Sequence, residues 1–165
     1  MGIIRELKEA DVAAYVELRR RALLDVPSAF SASPEDDFVG SIDAVHEQLS
    51  RAPEWTIFGA FAPHLVGIAG VFRDQRVKAS HKGHLWGVYV EPAHRGCGLA
   101  AQLLDAALQH LRTLPGVTWA QLSVSDSTPD ARRAYEVRGA TAVAPHPSQG
   151  GGLSRFRRPK LLAGR

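Results

Sequence analysis

The chain has 165 residues, 45% hydrophobic and 22% charged, with one cysteine and a formal net charge of +3. That length suits one domain with a proper core, and a lone cysteine excludes an internal disulfide framework. Arg155, Arg157, Arg158, Lys160 and Arg165 stand in an acid-free tail and leave the rest slightly acidic, which argues against a nucleic-acid partner.

Ile3-Ile4-Arg5-Glu6-Leu7 reads as a first strand. Residues 1–7 lack the apolar stretch of a secretory leader and no run is long enough to span a membrane, so a cytoplasmic location without a membrane partner is expected. Asp11 can cap a helix through about Leu24, with Tyr15, Leu18 and Ala22 at helical spacing and Arg19-Arg20-Arg21 as a solvated face. Pro27 ends it. Ser33-Pro34-Glu35-Asp36-Asp37 predicts a second helix start, with a cap, a first-turn proline and acids at the positive end. That helix would run to Leu49, burying Phe38, Ile42, Val45 and Leu49. Residues 55–62 and 65–72 read as strands around a tight turn at Pro63-His64. Residues 73–83 read as a polar loop and 85–90 as the central strand.

The segment His84-Leu85-Trp86-Gly87-Val88-Tyr89-Val90-Glu91-Pro92-Ala93-His94-Arg95-Gly96-Cys97-Gly98-Leu99-Ala100 is the most informative. It reads as a buried strand, a basic glycine loop and a helix opening at Leu99. Glycine lets backbone approach a ligand closely. The first N–H groups of a helix lack partners and carry partial positive charge. In this order the three parts form an anion cradle suited to a pyrophosphate.

Beyond it, Leu99, Leu103, Leu104, Ala107, Leu108 and Leu111 make a broad apolar stripe, stopped by Pro115-Gly116. Residues 117–124 read as a strand and 125–128 as a polar turn. Pro129 opens a helix through Arg138, and Gly139 suits a left-handed exit.

Two families place glycines in this way. Gly96-Cys97-Gly98-Leu99-Ala100-Ala101 fits the dinucleotide pattern G-x-G-x-x-A. Against it, Glu91 to Arg95 separate strand from glycine, Pro92 breaks the strand, and only one strand–helix pair follows. Asp126 lies further on than the usual ~20 residues for a ribose-binding acid. Arg95-Gly96-Cys97-Gly98-Leu99-Ala100 fits R-x-x-G-x-A and resembles the acyl-CoA signature of the GNAT N-acetyltransferases. The order β-α-α-β-β-β-α-β-α is similar to theirs over residues 3 to about 143. Tyr15, Leu18-Arg19 and Ala29-Phe30 resemble the small bacterial amine acetyltransferases of that superfamily. Pro129-Asp130-Ala131-Arg132-Arg133-Ala134-Tyr135-Glu136-Val137-Arg138-Gly139 resembles the family's second signature. Thr128 replaces the usual Asn, and Ala140 replaces a Phe that would anchor the last strand.

The resemblance implies an α/β fold with a mixed, mostly antiparallel central sheet flanked by helices. Residues 1–143 would form the domain. Residues 144–165, with Pro145, Pro147, three glycines at 150–152 and Pro159, would form a basic tail with a short or loose last strand. An incomplete last strand would favour a homodimer through a sheet edge. The implied reaction moves acetyl from acetyl-CoA to a primary amine of a small molecule or peptide, by direct attack in a ternary complex. The pyrophosphate would rest on the N–H groups of Gly96, Cys97, Gly98, Leu99 and Ala100, with Arg95 as a nearby cation and Thr128 counted with the cofactor contacts. Pantetheine would pair with the backbone of Val88 and Val90, and the N–H near Val90 would face the oxyanion. Tyr135 matches the family's general acid; taken alone the residue would read as a core tyrosine, and the second signature around it favours the catalytic role.

On a regular strand His84 shares a face with Trp86, Val88 and Val90 and offers a base suited to neutral pH. A half-exposed histidine at a strand entrance is the plainer reading. His81 and His84 lack the carboxylate or cysteine partners of a metal site, so none is expected. The Cys97 thiol is expected to turn aside. Rival readings are a non-catalytic acyl-CoA sensor, a dinucleotide-dependent oxidoreductase and an interaction module with a basic tail.

Overall fold

The structure is a computed structural model and describes residues 2–27, 37, 41–125, 129–143 and 153–159. In chain order the elements are β1 (Ile3–Glu6), α1 (Val12–Asp25), α2 (Ile42–Ser50), β2 (Trp55–Phe61), β3 (Leu65–Arg73) and β4 (Lys82–Val90). They continue with α3 (Leu99–Thr113), β5 (Trp119–Ser125), α4 (Pro129–Val137), β6 (Thr141–Val143) and β7 (Leu153–Pro159). The strands form one seven-stranded sheet in the order β1-β2-β3-β4-β5-β7-β6. Every neighbouring pair is antiparallel except β4 and β5. This is the mixed, helix-flanked α/β fold that the sequence predicts.

Period-2 alternation along the central strands feeds a core on each face. On one face the whole predicted stripe of α3 is buried against Ala60, Val66, Val71, Leu85 and Ala120. On the other, Val12, Tyr15, Leu18 and Ala22 of α1 and Val45 of α2 pack on Ile57, Ile68 and Tyr89. The α3 helix carries Arg112 in its last turn, where a cation complements the helix dipole.

Three local expectations change. First, α2 begins at Ile42, where the Ser41 hydroxyl accepts the Ala44 N–H at 3.3 Å. Of the predicted helix start only Asp37 is described; it sits outside any helix, while Ser33 to Asp36 and Phe38 lie outside the described residues. Second, the Asp11 side chain does not cap α1. It accepts two bonds from Arg5, at 2.7 and 2.9 Å, and one from the Lys8 N–H at 2.8 Å, bracing the end of β1. Third, the last strand is seven residues long and pairs with β5 from end to end. The glycines at 150–152 precede it and Pro159 closes it, so neither interrupts the ladder. Among the described residues the sheet edge there is the three-residue β6. Homodimerisation through an incomplete strand therefore loses its premise.

Candidate active site

The geometry turns on a bulge in β4. Its register against β3 slips between Ile68 and Gly70, and Gly87 lies at φ +61°, a region open to glycine at little cost. Before the bulge, Trp86 packs on the α1/α2 face and Leu85 on the α3 face; after it, Tyr89 takes the α1/α2 face and Val88 and Val90 the α3 face. The expectation that His84, Trp86, Val88 and Val90 share one face is thus corrected. The extra residue shifts the alternation by one.

A second break opens beside it. β4 pairs with β5 only over Lys82–Leu85 against Trp119–Leu122, although both strands run on. Beyond Leu85 the two strands part, leaving a wedge flanked by residues 86–90 of β4. At about 3.3 Å per residue, Val90 to Leu85 spans about 16 Å. An extended pantetheine arm has comparable length.

At the mouth of the wedge, residues 95–98 are exposed. Gly96 and Gly98 have φ of +79° and +84°, and a Cβ on Gly96 would meet nothing within 4 Å. The first intrahelical bond of α3 is Gln102 N–H to Gly98 carbonyl, 3.0 Å. The N–H groups of Leu99, Ala100 and Ala101 therefore precede any intrahelical acceptor. The Cys97 thiol donates back to the His94 carbonyl at 2.8 Å, turned aside as expected.

Arg95 is not a spare cation. Its Nε donates to the Val90 carbonyl at 2.8 Å and its Nη2 to Asp25 at 2.8 Å. Asp25 also accepts the Tyr89 hydroxyl at 3.1 Å; burial and this carboxylate push the phenol up to about 12. The guanidinium thus ties the glycine loop to the end of α1 and occupies the Val90 carbonyl that pantetheine was expected to use. Val88 keeps its place at the wedge, while at Val90 only the N–H remains for the role assigned to it.

His84 lies in the last paired stretch of β4, just before the apex of the wedge. Its ring stacks on Phe72 (centroids 4.6 Å apart, 13° between planes), and Phe72 stacks on Trp55. Its Nε2 is 3.1 Å from Oδ2 of Asp74. Burial lowers the imidazole pKa below its ordinary 6.5, opposed by the hydrogen bond and charge of Asp74. Asp74, in the stretch that the sequence predicts to be a polar loop, is only 5% exposed. Arg76 binds it through the backbone N–H and through Nε and Nη2, at 3.1, 2.9 and 2.6 Å.

The side-chain bonds from Arg76 are the main reason that the Asp74 pKa falls well below 3.8. A carboxylate depressed in the folded state contributes stability that is full above its unfolded pKa and is lost as pH falls through the folded value. Urea unfolding is expected to show stability declining below about pH 4. Asp74→Ala should flatten that decline, and an unchanged acid slope would contradict the assignment.

Tyr135 is 4% exposed and packs in the core on the α3 face. Burial raises its pKa above 10, so the phenol stays protonated through the neutral range. His84 and Tyr135 therefore sit on opposite faces of the sheet and are not brought together. Ala140 is buried in the same core as Tyr135, and Gly139 takes the expected left-handed exit at φ +80°. Thr128 lies outside the described residues.

Sequence reasoning missed a buried ion pair. Arg19, expected on a solvated face, donates from Nε and Nη2 to Asp37 at 2.8 and 2.9 Å; the two side chains are 6% and 2% exposed. The guanidinium lies 5.3 Å from the Trp86 ring centroid and packs on Gly87, where a Cβ would meet Nη1 at 2.7 Å. The bulge glycine thus makes room for Arg19. Arg20 and Arg21 are exposed, and Arg21 pairs with Glu91 at 2.7 Å.

Residues 12–140 match the sequence profile described as the Acetyltransferase (GNAT) family. No curated protein matches the chain. Among solved structures, an acetyltransferase of the GNAT family from Streptococcus pneumoniae superposes with a TM-score of 0.79 at 18% identity, covering 97% of this chain and 99% of that one. A GNAT superfamily phosphinothricin acetyltransferase from Sinorhizobium meliloti, solved with AcCoA, gives 0.79 at 15% identity over 96% and 88%. A spermidine N-acetyltransferase from Vibrio cholerae, solved with CoA and spermine, gives 0.74 at 16% identity over 96% and 95%. At these identities the likeness is one of fold.

Proposed function

Because the chain belongs to the GNAT acetyltransferase family, we propose that it transfers acetyl from acetyl-CoA to the nitrogen of a primary amine by direct attack in a ternary complex. The observation that carries this reading is the glycine-lined helix start at 95–100 opening onto the wedge between β4 and β5. Two fold neighbours, the phosphinothricin and spermidine enzymes, were solved with AcCoA or CoA. We read residues 1–143 as the acetyltransferase domain and 144–165 as an extension that supplies β7.

In this reading the diphosphate rests on the N–H groups of Gly96, Cys97, Gly98, Leu99 and Ala100, and Thr128 joins the cofactor contacts. Arg95 serves by fixing the loop to Val90 and Asp25 rather than by meeting phosphate. The Val88 backbone guides pantetheine along the edge of β4, and the N–H near Val90 faces the developing oxyanion. Charge stabilised only in the transition state lowers the barrier directly.

His84, neutral at pH 7, accepts a proton from the ammonium, and the freed amine attacks the thioester carbonyl. The second amine proton offsets the charge on the departing thiolate. Tyr135 donates a hydrogen bond to that sulfur. Full transfer from its raised phenol to a thiol of pKa near ~8.5 is uphill, so the phenol acts as a donor rather than a net proton source.

A small molecule or peptide amine is the acceptor in this reading.

The test is thermal unfolding with acetyl-CoA, followed by free-thiol release across an amine panel. Acetyl-CoA at a hundred times its Kd should add about 2.7 kcal/mol of stability. Absence of a shift with any CoA species would remove the acyl-CoA reading; a shift without turnover on any amine would favour a sensor. Tyr135→Phe is expected to lower kcat about 100-fold while leaving the acetyl-CoA shift in place. An unchanged rate would dismiss the phenol.

A further inference from the structure

The geometry points to Asp74 as the positioning residue for the base, holding the His84 ring with Nε2 as the donor so that Nδ1 carries the lone pair that takes the amine proton. This rests on the reading of His84 as the base and adds a residue that the reading did not contain.

Three observations converge. The ring is fixed in its plane by Phe72, itself stacked on Trp55. Its Nε2 lies 3.1 Å from Asp74 Oδ2. Asp74 is itself immobilised by three bonds from Arg76, and its backbone N–H donates to the Lys82 carbonyl at 2.9 Å. An ionised carboxylate has only acceptor sites, so Nε2 must carry the hydrogen and Nδ1 must be the bare nitrogen. The charged groups around the ring are Asp74 and Arg76 from the β3–β4 connection and Lys82 from β4. Phe72 on β3 and the β5 neighbour Gln121 are neutral.

The proton balance closes. R–NH3+ gives one proton to Nδ1, forming an imidazolium whose Nε2–H still faces Asp74, and R–NH2 attacks. After acetyl transfer the imidazolium returns its proton to water, while the second amine proton accompanies CoA as its thiol. Asp74 keeps its negative charge throughout and offsets the imidazolium.

Asp74→Asn is expected to lower kcat about ten-fold to a hundred-fold, because an amide can meet either ring tautomer. It should also move the acidic limb of the kcat/KM profile to lower pH, since loss of the carboxylate removes the group that holds the His84 pKa up. Asp74→Asn in a His84→Gln background should add little further loss. A purely structural role would leave the limb in place, and that result would overturn the proposal. If His84→Gln itself retains full rate, the base reading fails instead. Imidazole 15N NMR of the unmodified protein keeps the test independent of variant folding. The Nε2–H tautomer is expected above the titration midpoint of His84, and an Nδ1–H tautomer would refute the proposal.

Discussion

Arg19→Ala is expected to lower the unfolding free energy by about 3–5 kcal/mol, the usual cost of stranding one partner of a buried ion pair. The Asp37 side chain is 2% exposed and takes both of its described bonds from Arg19. Without the guanidinium its carboxylate must stay buried and uncompensated, take up a proton or pull its segment into water. Each route costs stability, and the last takes Asp37 away from the β4 bulge against which Arg19 packs. For a chain of this size the melting temperature should fall by about 10 °C. Arg19→Met with Asp37→Leu should recover most of the loss, since an apolar pair of similar volume often replaces a buried ion pair without penalty. Chemical denaturation of the three proteins decides the matter. A single-variant loss under about 1 kcal/mol would mean that the pair is as dispensable as a surface salt bridge.

Gly98→Val is expected to weaken acetyl-CoA binding at least ten-fold, about 1.4 kcal/mol or more. The φ of +84° disfavours a β-branched residue by about 1–3 kcal/mol, so the loop would leave its present course. A Cβ there would approach only Gln102 Nε2, at 3.9 Å, so the fold itself has little to clash with. The unliganded melting temperature should therefore fall modestly, while the stabilisation by the same acetyl-CoA concentration should shrink by about 1.3 kcal/mol or more. Isothermal titration reads the affinity directly, and wild-type affinity in a folded variant would contradict the cradle.

The readable parts of this molecule are those set by short-range patterning. The α3 stripe was legible because six apolar residues recur at helical spacing, and all six are buried. The glycine loop was legible because Gly96 and Gly98 stand directly before that stripe. The Gly139 exit was legible for a similar local reason. What escaped depends on partners distant in sequence. Arg19 looks like its neighbours Arg20 and Arg21, and Asp37, eighteen residues away, draws it inward. Asp74 lies ten residues from His84 and is delivered to it by the return of the β3–β4 connection. Arg95 meets Asp25 across seventy residues. The β4 bulge is a relation between two strands, so a parity argument on one strand misassigns every residue after Gly87. A glycine inside a strand was the available hint.

The position of β7 bears on how the protein is made. Its seven residues come last among the described strands, yet they lie between β5 and β6, and among the described residues β6 has no other strand neighbour. While the ribosome is still translating, β5 presents a bare ladder and β6 hangs without a mate. Closure waits for a segment that leaves the exit tunnel after every other described strand. A premature stop before Leu153 would therefore remove an inner plank rather than a fringe, and the nascent polypeptide is most exposed to misassociation in that interval.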